Sequence, residues 1–254
     1  MIVVAIRKIL LTNDDGIKSP SIKLLTEQFS DDYEITVVAP KHPQSAKGMS
    51  HAHGDSWVTT SEYEANGIRY ISVDNSPTTC ISVALKSYNL KPDLLISGIN
   101  FGENLGLNMF YSGTIGAAWE GAMAGILSLA SSLELPSGKH FSIDHSIDFS
   151  VAASFTKQIA EELLTEQPAC KLWNMNTPSD ATLETKIKNC SLAPQRWNQP
   201  VIREEKNGMD NGKQLRFEFD PIGYNHSEET DIYNLQKGFV TVSEINTLSF
   251  PWNS

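Results

Sequence analysis

Two adjacent carboxylates, Asp14 and Asp15, stand between Asn13 and Gly16, directly after the apolar run Ile9-Leu10-Leu11. Paired acidic oxygens in such a place can hold a hard cation such as Mg²⁺ or Mn²⁺. Asp-Asp-Gly is equally ordinary turn chemistry between a strand and a helix, so the pair alone leaves both readings open. A second polar cluster runs from Pro40 to His51 and holds Gln44, Ser45 and Lys47. Ser45 offers a hydroxyl to a metal, and Lys47 or a backbone amide could meet a phosphate; a plain surface loop has the same composition. His42, His51 and His53 match no helical ligand spacing, and surface histidines are the default reading. The third cluster is the densest: Ser97-Gly-Ile-Asn100-Phe-Gly-Glu-Asn104-Leu-Gly106, then Tyr111-Ser112-Gly113-Thr114. Asn100 and Asn104 supply neutral oxygens and amides. Ser112-Gly113-Thr114 falls where a helix begins, and the unpaired N–H groups of a helix start form a ready anion site.

The elements that must position these clusters can be read from hydrophobic pattern. Lys8–Thr12, Ile35–Ala39 and Leu94–Ile96 are short continuous apolar runs, each leading into one of the three clusters. Ser19-Pro20 predicts a helix start, with Ser as N-cap and Pro at the first position. Pro77–Tyr88 and Thr114–Gly125 are predicted helices, and Ile126–Ser131 a strand. Ile147, Val151, Phe155, Ile159 and Leu163 recur every four residues, as in an amphipathic helix. Leu172–Met175 and Gly238–Val242 are later strands. Ser56–Thr60 and Ile68–Val73 flank the turn signal Ala65-Asn66-Gly67. Apolar strands alternating with helices predict an α/β fold, a mostly parallel sheet covered on both faces. Ligands of such sheets bind at the carboxyl ends of the strands, where all three clusters fall. Residues 1–175 are expected to form the core. Residues 176–254 are expected to hold a β-rich oligomerisation arm and the C-terminal elements, with Asn176–Ser227 the β-rich, peripheral stretch, a hairpin or an oligomerisation arm.

Composition excludes several classes. The chain has 254 residues, 40% of them apolar, with 20 Lys and Arg against 30 Asp and Glu. The net charge of −10 argues against duplex nucleic acid, whose phosphates need clustered cations. It does not argue against one phosphate at a metal, because a bound divalent cation reverses the local sign. Cys80, Cys170 and Cys190 form no Cys-x-x-Cys pair, and an odd count of free thiols suits a reducing cytoplasm. The apolar start, Met1 to Leu11, has its charges after the apolar stretch and shows no cleavage site, unlike a signal peptide. No apolar run is long enough to span a bilayer, so no membrane partner is expected.

Together the clusters resemble a known family. Leu10-Leu-Thr-Asn-Asp-Asp-Gly-Ile17, Val37-Val-Ala-Pro40 with Gln44-Ser45, Ser97-Gly-Ile-Asn-x-Gly-x-Asn-x-Gly106 and Tyr111-Ser-Gly-Thr-Ile-Gly-Ala-Ala-x-Glu-Gly121 are similar to the motifs of the SurE family, metal-dependent phosphatases acting as 5′/3′-nucleotidases, some with exopolyphosphatase activity. Trp173-Asn-Met-Asn-Thr-Pro178, Asp220-Pro-x-Gly223, Thr230-Asp231 and Gly238-Phe-Val-Thr-Val242 extend the resemblance over nearly the whole chain. It implies a Rossmann-like three-layer fold with a β-rich C-terminal extension, usually dimeric or tetrameric by exchange of that extension. It implies one divalent metal ion, Mg²⁺ or Mn²⁺, on Asp14, Asp15, Ser45 and Asn100, and phosphate contacts from Asn104, Ser112, Gly113 and Thr114. Asp14 and Asp15 would be the catalytic carboxylates, Asp14 favoured as base or nucleophile. The substrate would be a nucleoside monophosphate, with short polyphosphate as a further candidate. The alternative is a nucleotide-binding regulatory module with little turnover. Three positions depart from the family pattern: Asn75-Ser76-Pro77 stands for Gly-Thr-Pro, Gly106-Leu107-Asn108 for Gly-Asp-Asp, and Ala46 for Gly. None is a predicted metal ligand.

Overall fold

A strand buried on both faces needs apolar residues at every position, and the first strand has them. In the computed structural model, which describes residues 7–136, 147–207, 212–222 and 227–246, β1 (Lys8–Thr12) sends Ile9 and Leu11 to one face and Leu10 to the other. The first face is covered by α1 (Pro20–Phe29) through Ile22, Leu25 and Phe29. Ser19 caps this helix by accepting from Ile22 N–H, with Pro20 at its first turn. β2 (Glu34–Pro40) comes next, then the hairpin of β3 (Thr60–Ala65) and β4 (Ile68–Val73).

α2 (Pro77–Ser82) covers the second face, and β5 (Leu94–Phe101) returns to lie beside β1. α3 (Gly113–Met123) also packs on the second face, β6 (Leu127–Leu133) pairs with β5, and α4 (Ser150–Glu166) joins α1 on the first. The α4 residues Phe155, Ile159 and Leu163 are buried, as their spacing predicts. β7 (Leu172–Thr177), β8 (Ile187–Asn189), β9 (Asn198–Asn207), β10 (Lys213–Pro221), α5 (Asp231–Gln236) and β11 (Val240–Glu244) complete the described chain.

The main sheet has the order β3-β4-β2-β1-β5-β6-β7-β11-β8. Six central strands, β4 to β7 in that order, are parallel. The chain moves outward from β1 to β2, then crosses back to β5 on the other side of β1. This reversal opens a crevice at the carboxyl ends of β1 and β5, the usual ligand position in an open α/β sheet. The fold is the predicted three-layer α/β sandwich.

Some expectations are corrected. The predicted helix Pro77–Tyr88 is α-helical only to Ser82 and continues as a wider π-turn over Val83–Ser87. The strand before Asn66-Gly67 is Thr60–Ala65, not Ser56–Thr60. All its residues are exposed, so apolar alternation could not mark it. Its pairing is set by the turn, where Asn66 (φ 52°) and Gly67 (φ 74°) take the backbone twist of a tight hairpin. Within the stretch 176–227 expected to be peripheral, β8 lies at the edge of the main sheet. β8 and β11 join the main sheet, while β9 and β10 alone form a separate antiparallel pair. Residues 1–6 of the apolar start and Gly223 lie outside the described residues. Among the described residues no helix is long and apolar enough to cross a membrane.

Candidate active site

Four of the singled-out residues converge because β1, β2 and β5 end side by side. Asp14 and Asp15 follow β1, Ser45 lies in the loop after β2, and Asn100 is at the end of β5. All four line one cleft of about 310 Å³, together with Asn104 and Ser112. The turn that carries the acidic pair is held by Asn13, whose Nδ2 donates to Ser19 Oγ at 2.7 Å and whose Oδ1 accepts from Gly16 N at 3.1 Å. Gly16 has φ 99°, a backbone that favours glycine. The Asp14 carbonyl accepts from Gln44 N at 2.7 Å, which ties the Ser45 loop to the acidic turn.

Asp14 is almost fully buried. Its Oδ1 accepts from Thr114 Oγ1 at 2.6 Å, and the amides of Gly113 and Thr114 also favour its charged form. Burial outweighs them and raises its pKa. Asp15 accepts from Phe101 N at 3.4 Å. Burial, reinforced by the neighbouring charge of Asp14, pushes its carboxyl up to about 8. Among the described residues no Lys, Arg or His forms an ion pair with either carboxylate. Two buried like charges without a cation are costly unless protonated or bound to a metal. Asn100 donates through Nδ2 to the carbonyls of Phe101 and Gly102 at 3.3 and 2.6 Å, which leaves Oδ1 as its acceptor for the cleft. With the Ser45 hydroxyl, the donor set is all oxygen and carries two negative charges, and this fits a hard divalent cation.

The four residues expected to meet phosphate divide into two pairs. Ser112 caps α3, accepting from Ile115 N at 3.3 Å, and faces the cleft. Asn104 lines the cleft as well, held by Ser132 Oγ on its Nδ2 at 2.9 Å and by Asn174 and Asn176 on its backbone. Gly113 and Thr114 are instead engaged with Asp14. A Cβ at Gly113 would lie 2.9 Å from Asp14 Cβ and 3.0 Å from its Oδ2, so only glycine lets the helix come this close. His42, His51 and His53 stay away from the cleft lining. His51 bonds the Ala52 carbonyl and Ser82 Oγ.

Two of the three departures from the family pattern have local explanations, and nothing in the structure explains Ala46. Ser76 does the capping of α2, accepting from Thr79 N and donating to the Ser50 carbonyl. Asn108 accepts from Trp197 N at 2.9 Å and donates to Asn198 Oδ1 at 2.6 Å, and an ionised Asp could not make the second bond. Ala46 takes φ 59°, a left-handed conformation costly for any residue with a Cβ. Ala46→Gly is therefore expected to stabilise the fold by about 0.5–1 kcal/mol. Reversible denaturant unfolding checks this, and a loss of stability would show that the loop does not hold that conformation.

Sequence pattern does not single out Trp197 or Phe219, yet both line the cleft, at the base of the β9–β10 pair. The alternation Phe217-Glu218-Phe219 is the one local signal for the second of them. Asp231 enters the sequence reading only as part of a motif. Fully buried, it accepts backbone bonds from Gly106 N, Ala193 N and Ile232 N at 2.8, 2.8 and 2.9 Å, and so fixes the end of the Asn104 loop.

Comparison with known proteins identifies the family. The family model described as "Survival protein SurE" matches residues 9–199. A Methanocaldococcus jannaschii protein named 5′-nucleotidase SurE is 39% identical over 237 residues, covering 91% of this chain and 88% of its own. An Archaeoglobus fulgidus protein of the same name is 34% identical, covering 94% and 90%. The crystal structure of the SurE protein from Aquifex aeolicus superposes with a TM-score of 0.76 at 27% identity, over 94% of this chain and 93% of that one. With its acidic pair, its Asn100 strand end and its Tyr111–Thr114 helix start in the places its motifs imply, this chain belongs to the SurE family.

Proposed function

We propose that the protein hydrolyses phosphomonoesters of nucleosides, as a 5′/3′-nucleotidase dependent on one divalent metal ion, Mg²⁺ or Mn²⁺. The observation that carries this reading is the buried pair Asp14 and Asp15, without an ion-pair partner among the described residues, opening on a cleft that also holds Ser45 and Asn100. Family membership points the same way. Asp14, Asp15, Ser45 and Asn100 would hold the metal, which when bound polarises a phosphoryl oxygen and acidifies water. Ser112 and Asn104 place hydrogen-bond donors on the wall where phosphoryl charge builds up. Thr114 and the first amides of α3 fix Asp14, whose carboxylate would take the proton of the attacking water. As the water oxygen bonds to phosphorus, the ester P–O bond breaks, and the proton taken from water goes on to the leaving oxygen, which departs as the alcohol. Phe101, Trp197 and Phe219 give the cleft aromatic faces suited to a nucleobase.

The deciding experiment is phosphate release from a panel of nucleoside monophosphates with Mg²⁺ or Mn²⁺, with and without chelator. Metal-dependent release from one or more is expected. Binding without release from any would favour the regulatory-module alternative. Short polyphosphate belongs in the same panel. Gly113→Ala is expected to lower kcat/KM by up to about 10²-fold, the cost of misplacing a positioned group by about 1 Å. Unchanged turnover would show that α3 does not set the position of Asp14.

The assembly we propose is a homodimer or homotetramer using the β9–β10 pair. Ile202, Leu215 and Phe217 are exposed on that pair, and an apolar cluster of this kind favours a protein contact. Three free cysteines fit a cytoplasmic setting.

A further inference from the structure

Glu103 stands between Gly102 and Asn104 and lines the same cleft as the acidic pair, but the hydrolytic roles above give it no task. Its Oε2 is buried and has no hydrogen-bond partner among the described residues. Burial, with the charge of Glu134 adding to it, pushes the carboxyl up to about 7, while the backbone of Leu135 bonds the carboxylate and favours its charge. The group is thus held from the backbone, with Oε2 closed off from solvent and lacking a donor in the free protein. A buried acceptor without a donor destabilises the free protein, and an apolar side chain of similar volume would not. Such a group is explained when a ligand brings the donor.

In a nucleoside monophosphate the sugar joins phosphate to base. With phosphate at the Asp14–Asp15 end and the base against the aromatic side chains, the sugar hydroxyls meet the wall between. They are donors, and a carboxylate is the acceptor-only group that answers them. We propose that Glu103 is a specificity-determining residue that accepts a hydrogen bond from a ribose hydroxyl of the substrate. This rests on the nucleotidase reading and adds to it the part of the substrate that is discriminated.

The test uses the full chain with Mg²⁺, and measures kcat/KM for a nucleoside 5′-monophosphate, its 2′-deoxy and its 3′-deoxy analogue. The unsubstituted protein is expected to favour the ribonucleotide over at least one analogue by about 10- to 100-fold, the range for a hydrogen bond to a charged group. Glu103→Leu is expected to bring that ratio close to one and to raise the melting temperature of the ligand-free protein. Glu103→Gln, which keeps an acceptor oxygen but loses the charge, is expected to give an intermediate ratio, and it carries the test if the leucine variant does not fold. If the unsubstituted protein releases phosphate from none of the three, the nucleotidase reading fails first. If it hydrolyses them with no preference, or if the preference survives in the variants, the Glu103 assignment alone is overturned. A weakened Mg²⁺ requirement with an unchanged ratio would make Glu103 a metal ligand and overturn it too.

Discussion

Asp14→Asn is expected to lower kcat/KM by about 10³-fold or more, the scale of losing a positioned proton acceptor, without loss of the fold. The amide of Asn can still accept from Thr114 Oγ1, as Asp14 Oδ1 does at 2.6 Å. The substitution removes a buried negative charge that supplies metal affinity and a place for the water proton. In the presence of chelator the variant should therefore melt no earlier than the unsubstituted protein, since an uncompensated buried charge has been removed. Added Mg²⁺ should raise the melting temperature of the unsubstituted protein and hardly move that of the variant. Steady-state phosphate release and two thermal scans measure all of this. Full activity in Asp14→Asn would sink the hydrolytic assignment.

Metal removal is the second large effect, and its sign depends on pH. Asp15 rises from an ordinary 3.8 to about 8, so between those values the folded protein keeps a proton that the unfolded chain has lost. That contribution is fully present below about pH 4 and is lost as pH rises through about 8. In chelator the melting temperature should accordingly fall between pH 5 and 8.5. A metal must displace the proton, so its affinity rises over the same interval. At about 100 times its Kd a cation adds about 2.7 kcal/mol, and the gain on adding Mg²⁺ should be larger at pH 8.5 than at pH 6. A melting temperature in chelator that climbs over this pH range would mean that the protein already supplies the pair with a cation.

The chemistry is most legible where it lies next to an apolar strand. Ile9-Leu10-Leu11 and Leu94-Leu95-Ile96 each announce a doubly buried parallel strand, and the residues just past such a strand sit at a carboxyl end. That is why Asp14, Asp15 and Asn100 can be placed together from pattern alone. Trp197 and Phe219 have no such neighbour. They reach the cleft because Asn108 holds the Trp197 backbone and because β9 pairs with β10, and neither contact has a periodic signature. The roles of Gly113 and Thr114 are hidden for another reason. A helix start advertises free N–H groups, but sequence does not say whether an anion from outside or a carboxylate of the same chain will meet them. Here Asp14 does. β8 is obscured by length, since three residues carry little alternation.

The carboxylate of Asp231 reaches Gly106 across 125 residues of chain. On a ribosome, the Asn104 loop is made long before the residue that secures it. The sheet from β4 to β7 can assemble while synthesis continues, because its strands come one after another with helices between. The Asn104 loop must wait for the α5 segment to emerge and dock, and long-range contacts of this kind are the slow part of folding. A nascent or truncated chain that stops before Asp231 would carry its acidic pair but lack the clamp that shapes the cleft. Competence to act thus comes late in the life of each molecule, after most of its core has formed.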